Sequence, residues 1–219
     1  MAGYPGRLIQ FREIGQISFN FMAKMKIKNN SEEKVIVPIL LSGGIGVFPT
    51  DTIYGVVGSA LKKETIKRIY KLCKRELKKP MIVLISSVND LRIFGISLTA
   101  KQKNILAKLW PGKVSIVLDC KSKKFSYLHC KTFSLALRFP KNENLVKILK
   151  KTGPLVATSA NMDGEKPAKT CGEAKKYFEN KVDFYVDDGK SKSVHSTLVR
   201  LLKNGEVEIL RQGAVKIKL

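Results

Sequence analysis

Hydrophobic and polar positions run in two periods along the chain, and the changes between them mark its elements. Ser31 followed by Glu32 and Glu33 predicts a helix start, with a hydroxyl cap and acids in the electropositive first turn. That helix is expected to reach about Leu41 and to stop at Gly43-Gly44. Ile45-Gly46-Val47-Phe48 then reads as a short apolar strand that ends in the polar cluster Pro49-Thr50-Asp51-Thr52. From about Lys63 to Arg75, Ile66, Ile69, Tyr70 and Cys73 recur at helical spacing, with lysines on the other face. Met81 to Ile85 has the unbroken apolar run of a strand buried on both faces. Short helices are expected around Asn89 to Phe94 and Ala100 to Trp110, and strands at Val114 to Leu118 and Phe133 to Phe139. In the last of these, Phe133, Leu135, Leu137 and Phe139 alternate onto one side. Helix Glu143 to Lys151, strand Leu155 to Thr158, helix Gly172 to Glu179 and strand Asp183 to Val186 continue the alternation. Thr197 to Leu202 and Val207 to Leu210 flank Asn204-Gly205, the pattern of a β-hairpin. Together these predict an α/β fold, a twisted open mixed sheet with flanking helices. With no repeat and no linker, residues 31–219 form one expected domain behind an extension of residues 1–30.

Composition narrows the class. The 219 residues are 44% hydrophobic, enough for a core, and no run approaches the 18 apolar residues of a membrane span. The net charge of +23 draws the chain towards polyanions. Lysine supplies most of that excess, so a solvated lysine surface accounts for it equally well, and charge alone does not separate nucleotides from nucleic acids. Four cysteines without C-x-x-C spacing and two histidines make a structural zinc site improbable and fit a reduced compartment, cytoplasmic or mitochondrial. Residues 1–30 carry Arg7, Arg12, Lys24, Lys26 and Lys28 against Glu13, a bias compatible with organellar targeting. A strand over Ile17 to Phe21 is the structural alternative.

Four polar constellations stand at predicted strand or helix ends. Thr50-Asp51-Thr52, with Tyr54-Gly55 after it, places two hydroxyls and a carboxylate where open α/β sheets bind ligands, although such a cluster also caps elements. Arg75 with Lys71, Lys74, Lys78 and Lys79 suits phosphate, and suits a helix C-terminus as well. Ser159-Ala160-Asn161 lets backbone amides approach a ligand, or forms a turn. The last set comprises Arg138, Ser196-Thr197 and Arg211-Gln212-Gly213.

The order of the segments says more than any one of them. GGIGVFPTDTIYG, IYKLCKRELKKPMIVLI, WPGKVSIVL, LALRFP, VATSANMDG, STLV and ILRQG follow one another from about Ser31 to Gly213. This succession resembles the YrdC family of threonylcarbamoyl-AMP synthases, in their short, one-domain form. The resemblance implies a sheet with a concave basic face. It also implies condensation of L-threonine, bicarbonate and ATP, accompanied by Mg2+, into threonylcarbamoyl-AMP and pyrophosphate. A partner transferase then passes the threonylcarbamoyl group to tRNA, and no membrane is involved. By motif, Thr52, Arg138, Ser159 and Ser196 resemble threonine contacts, with Arg138 on the carboxylate. Arg75, Lys79, Ser134, Asn161 and Arg211 resemble the ATP set, with Arg75 and Arg211 on phosphates. No nucleophile and no protein-held metal are expected. The chain departs from the family at Cys73, where a lysine is usual and Lys71 or Lys74 could substitute. It departs again at Leu84, in place of a histidine, and at Asn161-Met162-Asp163-Gly164. A module that binds double-stranded RNA or tRNA without chemistry is the alternative reading, and carbamoyl transfer a third.

Overall fold

The computed structural model describes residues 32–77 and 79–217. The expectations for Ser31, the strand over Ile17 to Phe21, the extension and Lys78 lie outside those residues.

Helix α1 (Glu32–Ser42) stops at Gly43, whose φ of 102° suits a residue without Cβ. Strands β1 (Ile45–Pro49) and β2 (Tyr54–Ser59) pair antiparallel, so Thr50, Asp51, Thr52 and Ile53 form the connection of a hairpin. Strand β2 was not expected beyond the bend at Tyr54-Gly55. Its sequence YGVVGS carries two glycines, which weaken a strand signal. They serve packing instead: a Cβ on Gly58 would sit 2.5 Å from Thr65 Cγ2 of the helix above.

Helix α2 (Lys63–Leu72) ends at Cys73 rather than Arg75. Lys74 takes a φ of 50° and turns the chain, which carries Arg75 off the helix axis. Strand β3 (Ile82–Leu84) leads to a 3-10 turn at Val88–Phe94 and helix α3 (Ala100–Leu109), whose Thr99 and Gln102 make a reciprocal cap. Strand β4 (Val114–Asp119), the short α4 (Ser126–His129), β5 (Ser134–Arg138), α5 (Glu143–Thr152) and β6 (Leu155–Ser159) follow. Phe133 stays outside β5, with positive φ and an exposed ring, while Leu135 and Leu137 are buried as expected. Helix α6 (Cys171–Phe178), β7 (Phe184–Tyr185) and the hairpin of β8 (Thr197–Leu201) and β9 (Val207–Arg211) complete the described chain.

The nine strands form one mixed sheet in the order β7-β1-β2-β6-β3-β5-β4-β8-β9. β1 with β7, β3 with β5 and β4 with β8 are parallel, and the other pairs are antiparallel. Successive strand residues feed opposite faces, and two cores result. Val56, Val83 and Val156 pack with Ile66 and Ile69 of α2, Leu106 of α3 and Phe178 of α6. Val57, Leu84 and Leu155 pack on the other face with Ile36 and Leu40 of α1 and Leu145, Ile148 and Leu149 of α5. On that second face the adjacent row Ile82, Ala136 and Ala157 lines an open cleft. This is the expected α/β architecture, with its concave side left free by α1 and α5.

Candidate active site

The cleft has a volume of about 210 Å³. Six of the nine sequence-derived site residues line it: Thr52, Arg75, Arg138, Ser159, Ser196 and Arg211. They come from the β1–β2 connection, the turn after α2, and the ends of β5, β6, β8 and β9.

Arg138 is buried, 3% exposed. Its Nη1 lies 3.0 Å from Asp51 Oδ1 and donates to Thr52 Oγ1 at 3.0 Å. The carboxylate oxygen is near enough for an ion pair but out of line for a hydrogen bond. Asp51 therefore supplies the countercharge that a buried guanidinium requires. Burial depresses the Arg138 pKa, the Asp51 charge opposes that, and Arg211 adds to it. Arg138 Nε is buried without any hydrogen-bond partner. A charged donor orphaned beside a cleft is costly unless a ligand completes it.

The β1–β2 connection is pinned by its own hydroxyls. Thr50 Oγ1 donates to Ile53 O at 2.7 Å and accepts the Thr52 amide at 3.1 Å, so the capping role holds for Thr50. Ser191 Oγ donates to Thr52 O at 2.8 Å, which fixes the other side of Thr52. Ser196 is 3% exposed, and its hydroxyl is shared with Ser115 at 2.8 Å.

Arg75 and Arg211 line the cleft as well, Arg211 next to Ser196 just before β8. Arg75 Nε donates to Lys79 O at 3.1 Å and its Nη2 to Pro80 O at 3.3 Å. Arg211 Nη2 donates to Ser196 O at 2.9 Å. Burial lowers the Arg211 pKa, and the positive charge of Arg75 lowers it further. No carboxylate lines the cleft among the described residues. Two guanidinium groups held by carbonyls rather than acids keep their charge for an anion.

Gly213 holds this region together by close approach. A Cβ there would lie 2.3 Å from His195 O and 2.5 Å from Ser196 C, both backbone atoms that cannot step aside. Gly213→Ala is expected to destabilise the protein by about 1–3 kcal/mol through overpacking. It should also pull Arg211 away from Ser196. Urea denaturation and nucleotide affinity measured on the same variant check both effects.

The remaining three residues lie outside the cleft lining. Lys79 Nζ pairs with Asp163 Oδ2 at 3.0 Å, which raises its own pKa and lowers that of the carboxyl. Asn161 Nδ2 donates to Met162 O at 2.7 Å and to Glu165 O at 2.9 Å, bracing its own loop. Ser134 Oγ donates to Thr132 Oγ1 at 3.2 Å, two positions before the cleft residue Ala136. Cys73 is buried, and burial pushes its thiol up to about 12, so no thiolate is available near neutral pH. Lys71 and Lys74 are exposed and are not among the residues that line the cleft. Conversely, Asp51 and His195 were not among the expected site residues. Asp51 was signalled by a carboxylate between two threonines at a strand end, and His195 by no pattern.

The Sua5/YciO/YrdC family model, described as telomere recombination, matches residues 38–213. A Methanocaldococcus jannaschii protein provisionally assigned as a threonylcarbamoyl-AMP synthase is 28% identical, over 91% of this chain and 96% of its own. The Bacillus subtilis threonylcarbamoyl-AMP synthase is 28% identical over 81% of this chain, which spans 52% of that protein. The structure of Pyrococcus abyssi Sua5 complexed with L-threonine superposes with a TM-score of 0.78 at 25% identity, covering 85% of this chain and 56% of that one. The chain thus spans nearly all of the first relative and about half of the other two. With four-fifths of its length matched by the family model, this chain belongs to the Sua5/YciO/YrdC family.

Proposed function

We propose that the chain is an L-threonylcarbamoyladenylate synthase, a nucleotidyltransferase that joins L-threonine, bicarbonate and ATP for the modification of tRNA. One observation carries this reading: a single cleft is lined by a buried, incompletely bonded arginine and by two arginines held by carbonyls rather than acids. The first suits a carboxylate and the second suits phosphates. The names of the relatives agree with that division.

In this reading threonine presents its carboxylate to Arg138, with Thr52, Ser159 and Ser196 around its polar atoms. Bicarbonate and the threonine amine give a carbamate, whose oxygen attacks the α-phosphorus of ATP and expels pyrophosphate. A carbamate is short-lived in water, so holding it against the nucleotide is the main task of the protein. Arg75 and Arg211 offset the charge that grows on the phosphoryl oxygens. Lys79, Ser134 and Asn161 would join the nucleotide from the rim, Lys79 by exchanging Asp163 for phosphate. A partner transferase would then take the threonylcarbamoyl group to tRNA.

The protein side offers a poor donor set for a resident metal. Among the described residues no group of three or more His, Cys, Asp or Glu is suited to a metal, and the cleft lining has no carboxylate. Mg2+ in this reading would arrive with ATP and, when bound, would offset phosphate charge. None of the described helices is long and apolar enough to cross a membrane.

Product analysis tests the proposal. Labelled bicarbonate incubated with threonine and ATP should enter an acid-labile species that contains both adenylate and threonine. Label that never enters an adenylate would contradict it. The charge of +23 keeps RNA binding as the second reading, and salt-sensitive tRNA retention without labelled product would favour it.

A further inference from the structure

Threonine brings a protonated amine, and an ammonium has no lone pair with which to attack carbon. Its proton needs an acceptor, and the question is which side chain of the cleft the protein itself can offer. The titratable groups that line the cleft are Arg75 from the turn after α2, Arg138 at the end of β5, Arg211 at the end of β9, and His195 beside β8. Arginines do not accept protons near neutral pH. Asp51, the nearest carboxylate to Arg138, is bound to that guanidinium and is not part of the lining. Cys73 is likewise outside it. His195 remains, half-buried and directly before Ser196, one of the expected threonine contacts. Among the described residues its ring has no hydrogen-bond partner.

We infer that His195 is the catalytic base that takes the proton from the threonine ammonium, an assignment that rests on the synthase reading above. An N–H bond of the ammonium breaks, its proton moves to the unprotonated ring nitrogen, and the electron pair stays on the amine. The amine attacks the carbon of bicarbonate. An N–C bond forms, a C–O bond breaks, and hydroxide leaves with a second amine proton as water. The imidazolium then returns its proton to solvent. Charge and atoms balance without a further reactant.

The surroundings suit this task. Burial lowers the His195 pKa and the charge of Arg211 lowers it further, so the ring is neutral at neutral pH. The cationic lining also favours loss of the ammonium proton over its retention. Glutamine at this position keeps the polarity and removes the basicity.

The test combines turnover with a measurement that needs none. His195→Gln is expected to lose about 10²–10⁴-fold in kcat, the usual worth of a positioned base. It should keep threonine and ATP affinity, and lose the acid limb of the wild-type pH–rate profile. The chain has two histidines, one of them the buried His129, so the His195 ring is readily assigned by NMR. Threonine alone should lower the His195 pKa of the wild type, because the bound ammonium repels an imidazolium. Wild-type turnover and an unchanged acid limb in His195→Gln would overturn the inference. So would a His195 titration that threonine leaves unmoved, and this readout decides the matter if the variant does not fold. A wild type that releases no pyrophosphate refutes the synthase reading instead, and the titration still tells whether the ring meets the amine.

Discussion

Replacing Arg138 by alanine is expected to abolish threonine-dependent turnover and to destabilise the fold by about 3–5 kcal/mol, the cost of orphaning a buried ion pair. Both effects come from one side chain. Arg138 and Asp51 have side chains 4% and 7% exposed, so each carries its charge into the interior only because the other is there. Without the guanidinium, Asp51 keeps its bond to the Lys141 amide at 3.2 Å and loses its countercharge. Thr52 loses the donor on its hydroxyl at the same time. Urea denaturation of Arg138→Ala, Asp51→Ala and the double variant separates the two effects. The double variant should regain much of the lost stability, since no unpaired charge remains, and should stay inactive. Arg138→Lys is expected to fold better than alanine and still fail, because a point charge cannot serve Asp51, Thr52 and a substrate carboxylate together.

Arg75→Ala and Arg211→Ala are expected to act on the nucleotide and to leave stability nearly unchanged. Each removes a charged hydrogen bond to phosphate worth about 1.5–3 kcal/mol, which is roughly a 10- to 150-fold loss of ATP affinity. Their native partners are the carbonyls of Lys79, Pro80 and Ser196, so their removal leaves no carboxylate unpaired. Because Arg75 and Arg211 feel each other's charge, the two losses should not add, and a double-mutant cycle on ATP binding measures the coupling. Lys79→Ala makes a useful contrast. Its exposed pair with Asp163 belongs to a class of surface ion pairs that contributes little. Equal losses for Lys79→Ala and Arg75→Ala would show that the phosphates lie at the rim rather than in the cleft.

How much of this was legible in the sequence depends on the range of the interactions. Helix α2 could be read from the spacing of Ile66, Ile69 and Tyr70, because burial of one face is a local pattern. Its end could not, since the left-handed turn at Lys74 carries no residue signature of its own. Strand β2 was missed because its glycines answer to the helix and strand packed against them. The polar cluster at Thr50 to Thr52 was visible, but its meaning was not. Thr52 and Arg138 are 86 residues apart, and nothing in either segment tells that one accepts from the other. Motif order named nine residues, of which six line the cleft while Lys79, Ser134 and Asn161 do not. Lys79 is held by Asp163, 84 residues along the chain, and Ser134 and Asn161 by their near neighbours Thr132 and Glu165, contacts that a succession of motifs does not encode.

The central claim is that one cleft gathers threonine, bicarbonate and ATP, and pyrophosphate release tests it most directly. The full chain is assayed with all three substrates, then with threonine and bicarbonate each withheld in turn. Release is expected to require both, to rise with the concentration of each, and to fall in Arg138→Ala, Arg75→Ala and Arg211→Ala. Release that continues without threonine, or no release with all three substrates present, would contradict it.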